Sequence, residues 1–253
     1  GDHYQRGLTG MQPFVFNTVR QVVCAPGAAL NLGEQCAALG ASHLLVVTDP
    51  GLMAIGLVQP VVEALAAAGF EVTVFDQVRE DPPEETVLTA AAISRKAGVD
   101  GVIAVGGGSS MDVAKVVAVL LACDQALADM YGVDQVEGGR LPLILVPTTA
   151  GTGSEVTPVA VITTGATTKA GVSSAVLLPD AAVLDPDLTL GLPPAVTAMT
   201  GVDAMVHAIE AYTVRPATFI TDVFAVQAVQ MSFRYLRRAC TDIRLDAEAR
   251  DGT

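Results

Sequence analysis

Along the chain, short runs of β-branched and aliphatic residues alternate with longer Ala-rich stretches whose apolar positions recur at helical spacing. Strand and helix in alternation give a parallel sheet covered on both faces. Leu44–Thr48 (LLVVT), Glu71–Phe75 (EVTVF), Gly101–Val105 (GVIAV) and Leu143–Val146 (LILV) are the predicted strands of that sheet. A helix is predicted over about Val61–Ala68, with Gly69 as its stop. Another starts at the Pro82–Pro83 pair, where Glu84 and Glu85 suit the positive end of a helix. A third runs from a glycine turn at Gly106 to about Ala122. Past Pro147, Val156–Thr163 (VTPVAVIT) and Ala181–Leu184 (AAVL) are expected to add strands to the same sheet. After the Pro193–Pro194 pair the alternation ends, and residues from about Ala195 to Arg244 read as helix after helix. A second, all-helical domain is therefore expected to start near Leu190, after an α/β domain over residues 11–190.

Composition narrows the class. Hydrophobic residues make up 51% and charged residues 16% of the 253, which suits an α/β enzyme rather than a disordered or fibrous chain. The formal net charge of −13 opposes a phosphate backbone, so nucleic acid is not an expected partner. The four cysteines, Cys24, Cys36, Cys123 and Cys240, show neither zinc-knuckle nor disulfide-framework spacing and read as reduced thiols. No apolar run is long enough for a signal peptide or a membrane span, so a cytoplasmic location without membrane association is expected.

The segment Val105–Lys115 (VGGGSSMDVAK) lies between a predicted strand and a predicted helix. Glycines allow a backbone to approach a diphosphate closely, and the N–H groups and dipole at the helix start attract an anion. Ser109 or Ser110 could cap that helix or donate to phosphate. The other reading is a tight turn with no ligand. Met111 stands where a GxGxxG fingerprint has its last glycine, and a Walker loop is excluded because no Gly-Lys-Ser/Thr follows. Asp49, directly after the first strand, is either an acceptor for an adenosine ribose, which would favour NAD over NADP, or simply part of an Asp-Pro-Gly turn. Asp203 and His207, four apart on an apolar predicted helix, point to one side and can chelate a divalent ion; a solvent-facing or mutually paired Asp/His fits the spacing equally well. The apolar helix makes burial of the pair the expectation.

GGGSSMDVAK resembles the glycine-rich motif of the iron-containing alcohol dehydrogenases. PTTAGTGSEVT (residues 147–157) resembles the same family's second signature, and the stretch from Pro193 to Tyr212 its third. The likeness runs from about Phe16 to Thr253 and is nearest to the lactaldehyde reductase and 1,3-propanediol dehydrogenase group. It implies a dehydroquinate synthase-like fold: a Rossmann-like parallel-sheet domain, then an all-helical metal-binding domain of which residues 191–253 are the beginning and the rest is absent. It further implies that Gly107, Gly108 and Ser109 hold the pyrophosphate of NAD and that Asp112 lies close to the dinucleotide. Thr148, Thr149 and Thr152 would line the path to the nicotinamide, with Val161 beneath it, and Lys169 would approach the ribose. Asp49 would bind the adenosine ribose. Asp81 would lie near the adenosine, at a place where the family commonly has Asn. Asp203 and His207 would be two ligands of Fe²⁺, or alternatively Zn²⁺ or Mn²⁺. The family adds two later histidines, whereas this sequence has only His3, His43 and His207.

The implied activity is NAD-dependent hydride transfer between a small alcohol or aldehyde and nicotinamide, in a homo-oligomer. Alternatives are a related polyol, hydroxy-acid or maleylacetate oxidoreductase, or a catalytically incomplete NAD-binding or assembly module. No Ser/His/Asp or Cys/His constellation competes for the chemistry.

Overall fold

A computed structural model describes residues 13–165, 167–215 and 217–241. His3 and the helical reading beyond Thr241 lie outside the described residues. Six parallel strands form the main sheet: β1 (Gln21–Cys24), β2 (His43–Val47), β3 (Glu71–Phe75), β4 (Gly101–Gly106), β6 (Leu143–Pro147) and β9 (Ala181–Leu184), in the order β1-β9-β6-β4-β2-β3. The remaining strands, β5 (Gly132–Val133), β7 (Val159–Thr164) and β8 (Thr168–Ser173), make a separate three-stranded sheet.

The central strands are apolar throughout because both sheet faces are covered. Leu45, Val47, Val102, Ala104, Leu143 and Leu145 belong to one core, with residues of helices α4 (Glu84–Ala97) and α5 (Gly108–Ala122). The alternate residues Leu44, Val46, Ile103, Val105, Ile144, Val146 and Val183 belong to the other, with residues of α1 (Leu32–Ala38), α2 (Pro50–Ala54) and α3 (Gln59–Ala67). This is an α/β, Rossmann-like architecture, as expected. Two long helices, α6 (Pro194–Thr213) and α7 (Phe219–Thr241), then pack on each other.

One expectation is corrected. Only Ala181–Leu184 joins the main sheet; the strand predicted at Val156–Thr163 begins at Val159 and pairs antiparallel with β8 instead. Gly153 adopts φ 63°, and Ser154–Val156 coils into a 3-10 turn, so the chain leaves the main sheet's direction before β7 begins. The resulting hairpin lies against α5, which is why ten of that helix's fifteen residues are buried.

Candidate functional site

In the sheet order, β2 has its successor β3 on one side and β4 on the other, so the chain reverses its direction of travel at the β2/β4 pair. Open α/β sheets bind ligands outside the carboxyl ends of their strands at such a switch point. The loops there come from three neighbouring strands. Asp49 follows β2, the glycine turn follows β4, and Thr148–Thr152 follows β6.

The glycine turn and the threonine loop are packed into one another. Thr148 N–H donates to the Gly106 carbonyl at 3.0 Å, which carries the β4/β6 ladder one residue past the end of β6. A Cβ on Gly106 would sit 2.6 Å from the Ser110 side chain in the first turn of the following helix, and one on Gly108 would sit 2.9 Å from Thr152 Cγ2, so Gly106 makes room for its own helix and Gly108 for the threonine loop. Gly107 is different: a Cβ there would meet only Thr149 Oγ1, at 3.7 Å. Gly107 is also the N-cap of α5, and no side chain caps that helix. The serine cap considered from sequence is thus not formed, since Ser110 lies buried beneath Gly106 and the cap position falls on a residue with no side chain. An uncapped first turn beside open space at Gly107 has the donor chemistry an anion needs.

Asp49 Oδ1 accepts from Leu52 N–H at 3.0 Å, making Asp49 the N-cap of α2. The turn role is therefore real, and it holds the carboxylate at the carboxyl end of β2.

Asp112 and Lys115, one turn apart on α5, enter a buried polar network that ties α5 to the 3-10 turn and β7. Lys115 has no exposed surface. Its Nζ donates to Ser154 Oγ (2.8 Å), Thr157 Oγ1 (3.2 Å) and the Val159 carbonyl (2.7 Å), using all three protons. Ser154 Oγ donates to Asp112 Oδ1 at 2.7 Å, and Val161 N–H donates to Asp112 Oδ2 at 3.0 Å. Lys115 Nζ and Asp112 Oδ1 are 3.9 Å apart. Burial pushes the lysine down to about 8, against the pull of Asp112 and Glu155. Burial likewise raises the Asp112 carboxyl, while Lys115 and the bonds from Ser154 and Val161 lower it. Lys115 falls within the glycine motif, whose pattern alone gives it no role. A lysine inside an otherwise apolar helix was the available signal, because such a group is buried only with partners.

Asp81 has φ 51°, and its carbonyl accepts from Thr163 Oγ1. Lys169 Nζ pairs with Asp81 Oδ1 at 2.6 Å, with both side chains more than half exposed. These two candidates are thus together, at the β7–β8 hairpin. Val161, also on β7, is 40% exposed.

Asp203 Oδ1 and His207 Nε2 lie 3.7 Å apart on α6, and their side chains are 46% and 52% exposed. The expected burial of this pair is not observed: α6 packs on α7, and its flank bearing Met199, Val202, Val206 and Ile209 is exposed too. The carboxylate and imidazole suit a divalent metal, but among the described residues no group of three or more His, Cys, Asp or Glu assembles around one. His43 sits at the amino end of β2, away from the site, bonded to Thr73 and near Glu71. The helix start does meet the threonine loop, since a Cβ on Gly151 would lie 2.9 Å from the Thr200 carbonyl oxygen.

Together, fold and site define a Rossmann-like α/β domain, with paired glycine and threonine loops at its switch point, that leads into a helical Asp/His segment. The family profile described as "Iron-containing alcohol dehydrogenase" matches residues 19–186, and that described as "Fe-containing alcohol dehydrogenase family, C-terminal" matches residues 197–253. The chain belongs to the iron-containing alcohol dehydrogenase family. It is 43% identical over 230 residues to a choline dehydrogenase of Bacillus subtilis (strain 168), covering 89% of this chain and 57% of that protein. A crystal structure of 1,3-propanediol oxidoreductase matches with TM-score 0.92 and 35% identity, over 95% of this chain and 63% of that one. A sulfoacetaldehyde reductase from Bifidobacterium kashiwanohense, in complex with NAD⁺, matches with TM-score 0.89 and 33% identity, over 95% and 64%. The chain thus spans less than two thirds of the length of these relatives. Among the described residues no helix is long and apolar enough to cross a membrane.

Proposed function

We propose that this chain forms the dinucleotide-binding part, and the start of the metal-binding part, of an NAD-dependent, iron-type alcohol dehydrogenase or aldehyde reductase acting on small substrates. The observation that carries the reading is the row of three loops along adjacent strands, with an uncapped helix start at its centre. A dinucleotide lying along that row would place its adenosine by Asp49 and its diphosphate at Gly107, Gly108 and Ser109. Its nicotinamide would then reach Thr148, Thr149, Thr152 and Val161. The Asp49 carboxylate, 3.0 Å from Leu52 N–H and so fixed in place, would repel a 2′-phosphate and favour NAD over NADP. Asp203 and His207 would hold the metal, with further donors from outside the described residues; iron is the family's metal, and Zn²⁺ or Mn²⁺ also suit these ligands. Such an ion, when bound, supplies Lewis-acid polarisation of an alcohol or carbonyl oxygen. In a related substrate class, polyols or hydroxy acids would replace simple alcohols. The exposed Asp203/His207 pair favours one second reading, an NAD-binding module without its own turnover.

Titration with NADH, followed by its fluorescence, tests the first reading. Gly107→Ala should fold normally, since its methyl would meet only Thr149 Oγ1 at 3.7 Å. It should nevertheless weaken NADH binding by about tenfold, the equivalent of about 1.4 kcal/mol. Unchanged affinity in this variant would remove the diphosphate from the turn. Metal analysis with NADH production from a panel of small alcohols separates the two readings: bound NAD without metal or turnover selects the module.

A further inference from the structure

The buried network on α5 has a place in the site that its residues' chemistry alone does not reveal. Its cation bonds the segment that follows the threonine loop, from Ser154 to Val159. All four partners around it, Ser154, Thr157, Val159 and, through Asp112, Val161, lie between the threonine loop and the middle of β7. The charged groups facing the ammonium are Asp112, on its own helix, and Glu155, on the 3-10 turn.

We propose that Lys115 is a positioning residue: its ammonium, relayed through Ser154 to Asp112, fixes the wall formed by residues 154–161, against which the far end of a bound dinucleotide rests. Each Asp112 oxygen accepts a hydrogen bond from the wall, one from Ser154 and one from Val161, so Asp112 acts with Lys115 in holding it. The near end of the site does not depend on this network, because Asp49 is held by its own helix start and the glycine turn by its ladder bond to Thr148. The inference rests on the dinucleotide reading given above. It adds a distinction: loss of the network should affect a ligand that reaches the wall and spare one that stops short of it.

The probes are NADH and ADP-ribose, which lacks the nicotinamide ring. Their dissociation constants are measured by titration calorimetry for the parent, Lys115→Met and Ser154→Ala. Ser154→Ala removes only the hydroxyl joining ammonium to carboxylate, and it decides the matter should Lys115→Met not fold. In the variants, NADH should bind about tenfold more weakly, the scale of one buried hydrogen bond, while ADP-ribose stays within about twofold of the parent. Hydrogen exchange at the Val161 amide should also speed up. Equal weakening of both ligands, or of neither, overturns the proposal, since a merely structural role moves them together. A parent that binds neither ligand instead brings down the dinucleotide reading itself, and the proposal with it.

Discussion

Replacing Lys115 by Met tests the physical basis of the network. The side chain is fully buried and makes three hydrogen bonds of 2.7–3.2 Å, so its removal leaves the Val159 carbonyl without the lysine's hydrogen bond and the Asp112 carboxylate without its countercharge. Breaking a buried, hydrogen-bonded charge cluster from one side costs about 3 kcal/mol, and that is the loss expected at pH 7. The pH dependence gives the sharper signature. Burial lowers the lysine from its ordinary 10.5 to about 8. Between those values the unfolded chain still holds a proton that the folded chain has released, so this group makes the parent more stable as pH rises through the window. At about 1.4 kcal/mol per unit, the gain approaches about 3 kcal/mol. Below pH 8 the lysine contributes no slope. The Cys36 thiol, pushed up by burial to about 11, acts in the opposite sense at high pH, but it is present in both proteins and cancels in their difference. Urea unfolding followed by circular dichroism from pH 7 to 10 should show parent and variant diverging above pH 8. A constant gap across that range would refute the argument that a desolvated ammonium sits at this position.

Asp49→Gly keeps a tolerated N-cap residue, so it should cost only a few tenths of a kcal/mol, while the preference for NADH over NADPH relaxes; unaltered discrimination in paired titrations would leave Asp49 as a helix cap alone. Asp203→Ala and His207→Ala should each abolish metal retention, read by elemental analysis, with NADH affinity nearly unchanged; equal metal content in variant and parent would defeat the ligand assignment. Asp185 is buried and accepts from Gly27, Ala29 and Asp187 N–H groups at 2.9–3.1 Å, so Asp185→Ala should destabilise the fold by about 3 kcal/mol in urea unfolding.

The central sheet was legible because its strands are buried on both faces and hence read as unbroken apolar runs; Glu71–Phe75 is reproduced residue for residue, and Gly101–Val105 stops one residue short. The edge strand β1 escaped notice, since QVVC is short and gains its place only by pairing with β9, some 160 residues away. β8 (TKAGVS) carries Lys, Gly and Ser and depends on its antiparallel partner β7 for its conformation, so its own sequence offers little strand signal. Helices α1 and α2 are only seven and five residues long, too short for periodicity to stand out. At the site, the two loop motifs were visible as sequence, whereas their interlocking through Gly108 and Thr152 is a tertiary fact. The separation of glycine roles follows the same rule: nothing in the letters GGG tells which glycine accommodates a neighbour and which leaves room. The burial predicted for Asp203 and His207 failed because an apolar helix needs something to cover it, and α6 is covered on one flank only.

The distance along α5 from turn to network also fixes an angular relation. Each helical residue advances about 100°, so Asp112, four residues after Gly108, returns to nearly the same azimuth, with Lys115 a further turn along. Inserting or deleting a single residue between Gly108 and Asp112 would swing the carboxylate and ammonium about a quarter of the way round the cylinder and strand both in the apolar core. The interval between the two features is accordingly a mechanical gauge, and homologous chains should vary in residue type within it far more readily than in its length.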